Sequence, residues 1–537
     1  MNPKKVKNEI ILFGKKIKIP KLLIPLSKYI EDIGFFNIIF LFIIALSIFL
    51  RFYNFPFRWG LGNDDARDAL IALEALNRHE LPLMGPFSSA GPFVTGGIYY
   101  WFIMLSYFLL PSFISSPWIF SALFGVLTVF VLIKIGQILG GGKFAIILGL
   151  LAATSPQLVV RSLALSNPSY VLISSVLLIY FFLMLWKTKK IVYGFFAGFF
   201  LGLSLSFHYQ AINLLIFLPA VFFISFLKIK QKIISFFLML AGFILPLLPL
   251  LYWDWQQHFA NLNNILDYFL IVQNRIYIPN SWKLFLFDYL PSYWSYVEGH
   301  STSLSISLFF ITVLFFLVQM IRKKLSSSLI MLGFIFLILI VVNRFYKGER
   351  SEGYLLYLAP FILIMSSLFF SWLISHRNKY VKITGLIFIL IVVFTNLKGL
   401  LPTYSYKSQV GELKIISQNL SEKFPNTKFA LYNDNLKGMD IALGMSLIMD
   451  FDKKLDINGQ PLGISCRGCH GKYPKLINSD IAIYDLRKQK KEVLNKKSTW
   501  LNVNKQTVYE SQIGWLNKQG LTSTFSLKNY IINIVGL

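Results

Sequence analysis

Acidic residues are scarce in this chain. There are 25 Asp and Glu against 52 Lys and Arg, and charged residues of both signs make up only 14% of 537 positions. Soluble domains carry about a quarter, so an ordinary soluble protein is excluded. Cysteine is rarer still: two residues exclude a disulfide-dense module. No internal repeat, no low-complexity linker and no Rossmann-type glycine-rich turn interrupts the sequence.

What fills the chain instead is apolar: 55% of residues are hydrophobic and 17% aromatic. They come in blocks near the roughly 20 helical residues that cross a hydrocarbon core. Spans are expected at 36–54, 117–138, 143–160, 168–186, 191–207, 210–227, 232–252, 303–321, 326–343, 353–374 and 381–400. The net charge of +27 does not indicate nucleic acid, because the lysines sit in short clusters between the blocks, where they orient a membrane protein.

One further stretch, Gly97–Leu110, is too short for length alone to decide whether it spans, and charge decides it. If it does not cross, the clusters Lys187/Lys189/Lys190, Lys228/Lys230/Lys232, Arg322/Lys323/Lys324 and Arg377/Lys379/Lys382 share the cytoplasmic side with the lysine-rich first 34 residues. If it crosses, all four move outside. The sequence therefore implies about 11 spans, an interfacial or re-entrant helix at Gly97–Leu110, and a basic cytoplasmic segment 1–34. The charged start is too long for a cleaved signal peptide, so the first span is expected to remain as an anchor. Segment 35–400 is read as the transmembrane domain and 401–537 as a small extracytoplasmic α/β domain. In that tail, Phe429–Tyr432 and Asp480–Tyr484 read as strands and Gly438–Met449 as a helix.

This topology gathers the polar chemistry outside, beginning with Gly62-Asn63-Asp64-Asp65-Ala66-Arg67-Asp68 after the first span. On a helix running to about Asn77, Arg67 lies one turn from Asp64, and Asp68 one turn beyond Asp64. A carboxylate there can take a hydroxyl proton as general base, and a guanidinium can hold phosphate oxygens bidentately. The same residues would also suit a solvated helix whose acids favour its N-terminus. An aromatic, glycine-rich stretch follows, Gly91-Pro92-Phe93-Val94-Thr95-Gly96-Gly97-Ile98-Tyr99-Tyr100-Trp101.

A first span, an acidic pair and an interfacial helix opening on a Gly/Pro-rich turn and Tyr-Tyr-Trp resemble the GT-C glycosyltransferase superfamily. Within it the chain is similar to protein O-mannosyltransferase-like enzymes and to lipid A aminoarabinose transferase-like enzymes. The resemblance runs as a pattern of spans to about Leu201 and weakly to Tyr354–Pro360; it does not cover the tail. It implies Asp64 as the catalytic carboxylate with Asp65 beside it, a polyprenyl-phosphate-linked sugar donor, and inversion at the anomeric carbon. Two departures stand out. Thr95-Gly96-Gly97 replaces a Lys-Pro-Pro turn common among relatives, and Asn167 in Asn167-Pro168 stands where many relatives carry an aspartate. Asn167 is a poor metal ligand, which weighs against a divalent ion.

Other outer residues are weighed on position. Arg161 sits at a span end, where it either binds a lipid-linked phosphate or snorkels to the interface. His208 and Tyr209 end a span and are read as substrate-binding candidates or structural residues. Arg344, Lys347 and Arg350 break the lysine-poor pattern of the outer face; Lys347 and Arg350 are candidates for phosphate, with ion pairs to Glu349 and Glu352 as the alternative. The 253–302 loop is rich in Trp and Tyr, as an aromatic belt would be.

Cys466-Arg467-Gly468-Cys469-His470 matches the c-type haem pattern, but a Cys466–Cys469 disulfide in an oxidising compartment explains it with less. No cofactor is called for by these residues; a divalent ion stays open, and haem is not expected.

The expected function is sugar transfer to a hydroxyl of a lipid, glycan or protein acceptor on the outer face of the plasma membrane, amid membrane lipids and without nucleic acid. Two rivals stay open. One is a transporter or lipid flippase, against which stand the few ionisable residues at span centres and the missing repeat. The other is an oligosaccharide-transferring enzyme of the same fold.

Overall fold

The computed structural model describes residues 34–60, 63–88, 90–111, 114–348 and 352–404. Beyond these it describes short strand and helix segments at 9–12, 15–18, 422, 429–433, 460–466, 509–510, 523–527 and 530–534. Between residues 34 and 404 the chain is almost wholly helical, and each expected span corresponds to a helical segment. Seven helices are long and apolar enough to cross a membrane, among them Asn167–Thr188, Thr302–Ile321, Ser327–Phe345 and Lys379–Tyr404. Shorter apolar helices lie at Phe36–Phe52, Ile98–Leu109, Val192–Phe207 and Tyr209–Phe223.

Two expected spans, 117–138 and 143–160, form one assigned helix, Ser116–Thr154, broken at Gly141 (φ 75°, ψ −163°). That backbone geometry is close to glycine-only. Past it the two halves fold back on each other: a side chain at Gly136 would strike Ala145, and one at Gly149 would strike Ile133. The 210–227 segment departs most from a regular helix. It runs as 3-10 turns at Tyr209–Ile216, a short helix Phe217–Ala220 and further turns at Val221–Phe223. Pro219 has no N–H to give to a regular ladder.

The helices Val192–Phe207 and Ile229–Ile244 pack backbone to backbone. Gly194, Gly198 and Gly202, four residues apart on one face, meet Ser235, Met239 and Phe243, and Gly242 returns the contact against Phe195. Small residues at this spacing allow apolar helices to approach closely where lipid removes the hydrophobic drive. Gly198→Val is therefore expected to force the Met239 carbonyl away and destabilise the bundle by about 3 kcal/mol, the upper range for overpacking. A drop in melting temperature in detergent, absent for Phe196→Val on the same helix, checks this; equal melting of the two variants contradicts it.

The Ile98–Leu109 helix is 12 residues, about 18 Å at the helical rise, well short of the roughly 30 Å core. Its opening aromatics pin it. Tyr99 O–H donates to the Leu165 carbonyl (3.0 Å) and Trp101 Nε1–H to the Pro82 carbonyl (2.8 Å). The Thr95-Gly96-Gly97 turn is tight for a visible reason, since side chains at Gly96 and Gly97 would strike Ser206 and the Pro82 carbonyl.

In the tail, Phe429–Asn433 pairs in parallel with Gln460–Cys466 within a five-stranded sheet. The expected helix at 438–449 and strand at 480–484 lie outside the described residues, as do Cys469 and its pairing with Cys466.

Candidate active site

The helix Asn63–Asn77 follows the first span and carries the acidic motif in its first turn. Its Ala66, Ala69, Leu70, Ile71, Ala72 and Ala75 are buried, which seats it on the Ile98–Leu109 helix and leaves Asp64 exposed. Gly60 N–H donates to the Leu163 carbonyl (2.9 Å), and Tyr99 reaches Leu165 from the other side. These two bonds tie the acidic segment to the turn holding Arg161 and Asn167.

The consequence is a cavity of about 410 Å³ at one end of the bundle. It is lined by Asp64, Arg67 and Asp68 from the acidic helix, and by Arg161, Asn167, His208 and Tyr209 from two later turns. Six of the nine residues singled out for the site by sequence therefore meet in one place. Two of the long helices that reach the cavity have a lysine-rich loop at their other end. Asn167–Thr188 runs from the cavity to Lys187, and Ser327–Phe345 runs back to it after Arg322–Lys324.

Arg67 is the centre of the charge arrangement. Its Nη1 donates to Asp64 Oδ1 (2.6 Å), and its Nε and Nη2 face Asp68 Oδ1 (both 2.9 Å). Tyr100 O–H also donates to that Asp68 oxygen (3.3 Å). Burial pushes the Asp68 carboxyl up to about 6, although Arg67 and the Tyr100 hydroxyl pull the other way. Burial would lower Arg67, but Asp68 and Asp64 outweigh it and hold the guanidinium above its usual range.

Arg161 Nη2 donates to Glu352 Oε1 (2.9 Å), and Gln157 Nε2–H donates to the Glu352 carbonyl (3.0 Å). Asn167 caps a different interaction: its amide donates to the Phe207 carbonyl (2.8 Å), tying together the two turns that carry Asn167 and His208. His208 stacks on Tyr354 at 4.8 Å, and its Nδ1 accepts from Gln210 N–H (3.3 Å). Desolvation pushes its imidazole down to about 4, which favours the neutral ring.

The opposite wall is aromatic. Phe93 packs on Tyr209 and Tyr268 (both 5.5 Å), and the Tyr268 and Tyr346 hydroxyls lie 3.4 Å apart. Tyr209 O–H donates to the Val94 carbonyl, and Asn261 Oδ1 accepts from Val94 N–H (2.8 Å). Asn261 sits in the 253–302 loop, where Asp254 accepts the N–H groups of Asn261 and Leu262 (2.8 and 3.0 Å) and so starts the helix Ala260–Asp267. That loop is thus a structural wall of the cavity, in addition to its exposed aromatics.

Two of the described residues expected at the site do not line the cavity. Asp65 lies on the acidic helix away from it. The Lys347 amine reaches the Asn274 carbonyl (3.4 Å), while neighbouring Arg344 lies over Trp282 and bonds Ser281. Both cations fasten the 253–302 loop. Arg350 lies outside the described residues. Conversely, Asp68, Phe93, Tyr268, Tyr346 and Tyr354 line the cavity and were not singled out for it. Among the described residues no group of three or more His, Cys, Asp or Glu side chains is arranged to hold a metal ion.

Residues 96–253 match the family model described as dolichyl-phosphate-mannose-protein mannosyltransferase, which covers less than half of the chain. No curated protein matches the chain. The fold is similar to crystal structures of ArnT from Cupriavidus metallidurans. The form bound to undecaprenyl phosphate aligns at a TM-score of 0.56 and 12% identity, over 92% of this chain and 97% of that one. The apo form aligns at 0.55 and 12% identity, over 78% and 84%. The chain is a polytopic membrane protein with the GT-C glycosyltransferase fold. The transporter alternative is not favoured.

Proposed function

We propose that this chain, a GT-C glycosyltransferase by its fold and its family-model match, transfers a sugar from a polyprenyl-phosphate carrier to an acceptor hydroxyl. The observation that carries the reading is the convergence of Asp64, Arg67 and Arg161 on one cavity with an aromatic wall. Asp64 takes the proton of the acceptor hydroxyl, whose oxygen forms a bond to the anomeric carbon. The bond from that carbon to the lipid-phosphate oxygen breaks, and Arg67 and Arg161 take up the charge of the departing phosphate. A single displacement of this kind inverts the anomeric centre. The aromatic wall of Phe93, Tyr268 and Tyr346 suits the apolar face of a sugar ring, and Asn167, His208 and Tyr209 shape the pocket around it. The undecaprenyl phosphate held by the ArnT relative is a lipid of the class this reading requires.

Transfer of labelled sugar from a synthetic polyprenyl-phosphate donor in proteoliposomes tests the reading, with free polyprenyl phosphate competing. Absence of transfer across monosaccharide donors, with retained transfer from a pyrophosphate-linked oligosaccharide, would shift the assignment to the oligosaccharide alternative.

The orientation is part of the proposal. The cavity faces outward at the plasma membrane, the N-terminal segment 1–34 is cytoplasmic, and 401–537 forms a small extracytoplasmic α/β domain. Its support is charge: the lysine loops lie at the helix ends opposite the cavity. Single cysteines replacing Lys190, Lys230 and Lys379 in a cysteine-free background are expected to resist an impermeant thiol reagent on intact cells. Labelling of all three from outside would invert the topology.

A further inference from the structure

We propose that Asp68, backed by Tyr100, is the positioning residue that fixes Arg67 for the donor's phosphate, and that the Asp64–Arg67 pair is a placeholder which the phosphate displaces. The inference rests on the reading of the cavity as a lipid-phosphate sugar site and assigns roles within it.

The geometry is asymmetric. Along the row Asp68, Arg67, Asp64, side-chain exposure rises from 3% to 20% to 77%. Asp68 holds one edge of the guanidinium, through Nε and Nη2, at the dry end. Two bonds to one edge fix the plane of a group that is rigid and flat. The remaining branch, Nη1, is thereby aimed at the cavity side, where it meets Asp64. Tyr100 is itself buried and bonds the same Asp68 oxygen, so the carboxylate is held on its own account.

The two acid partners of Arg67 are therefore unequal. A charge pair in a dry site, at an effective dielectric near 20, is about four times stronger than the same pair in water. A phosphate oxygen entering the cavity competes with the outer pair to Asp64 and leaves the inner pair to Asp68 in place. When it does so, Asp64 loses its cation and becomes free to accept the proton of the acceptor hydroxyl. Donor binding and release of the base are then one event. The same logic explains why two acids flank one arginine: one stays and one leaves.

The test is donor kinetics in proteoliposomes. Asp68→Asn keeps an acceptor atom but loses the charge that fixes Arg67. Donor KM is expected to rise about tenfold, the scale of one charge-assisted bond, with kcat changing little. Tyr100→Phe should move KM the same way by about threefold. In an Arg67→Lys background neither change should add anything, because an ammonium has no plane to orient. A positioning role predicts that loss of additivity; general structural support would penalise both backgrounds equally, and that result overturns the proposal. So does an unchanged donor KM, or a loss of kcat alone matching Asp64→Asn. Should Asp68→Asn fail to yield a monodisperse protein, the Tyr100→Phe and Arg67→Lys cycle decides by the same criterion. If the wild type transfers no sugar from any lipid-phosphate donor, the functional reading falls and this inference falls with it. Transfer by the wild type with additive variants removes this inference alone.

Discussion

Asp64→Asn is expected to lower turnover by at least ~10²-fold, the low end for removing a general base, with donor KM unchanged or lowered, since the carboxylate that competes for Arg67 is gone. Asparagine keeps the oxygen that faces Arg67 Nη1 at 2.6 Å, and the position is exposed, so the acidic helix has no reason to unfold. What it loses is the capacity to take a proton. Donor affinity should survive because the proposed phosphate contacts come from Arg67 and Arg161. Asp65→Asn is the built-in control: Asp65 shares the helix and the charge but does not line the cavity, so its turnover should fall far less. Near-normal turnover by Asp64→Asn would move the base elsewhere. Equal losses for both variants would mean that the acids act through the helix rather than at a reacting atom.

The parts of this arrangement that follow from local chemistry were legible before any coordinates. Apolar blocks near the length of a membrane crossing each became a helical segment, and the gap left between 138 and 143 holds Gly141, where the helix Ser116–Thr154 breaks. The Asp64–Arg67 pair is a one-turn neighbour relation that any helix enforces. Legibility fails where the determining contact is remote. Nothing near Asp68 announces its burial, because the partner that closes over it, Tyr100, arrives from another helix. Lys347 and Arg344 read as outward-facing cations, and only the fold shows them bound to Asn274, Ser281 and Trp282 some sixty to seventy residues away. The Gly194/Gly198/Gly202 spacing is a case in between. The pattern is written locally, but which helix accepts that face, Ile229–Ile244, is decided by the bundle.

Arg161 poses the choice between a structural ion pair and a substrate contact, and two substitutions separate them. Its side chain is 19% exposed and its partner Glu352 is 42% exposed, so the pair sits half in water. Pairs at that exposure contribute at most about 1 kcal/mol. A phosphate that replaced Glu352 would gain a bond to a charged donor at the cavity wall, about 1.5–3 kcal/mol. Arg161→Met keeps the stem that packs in the wall and removes the cation. Donor KM is therefore expected to rise by about ten- to a hundredfold, the same energy expressed as affinity. Glu352→Gln weakens the hold on Arg161 without touching it. If Arg161 exists to pair with Glu352, both variants should show the same defect and the same loss of melting temperature. If Arg161 serves the donor phosphate, Glu352→Gln should leave donor KM unchanged or lower it, since the competing carboxylate is gone. Parallel defects in the two variants would assign Arg161 to the scaffold and leave Arg67 as the cation that meets the lipid phosphate.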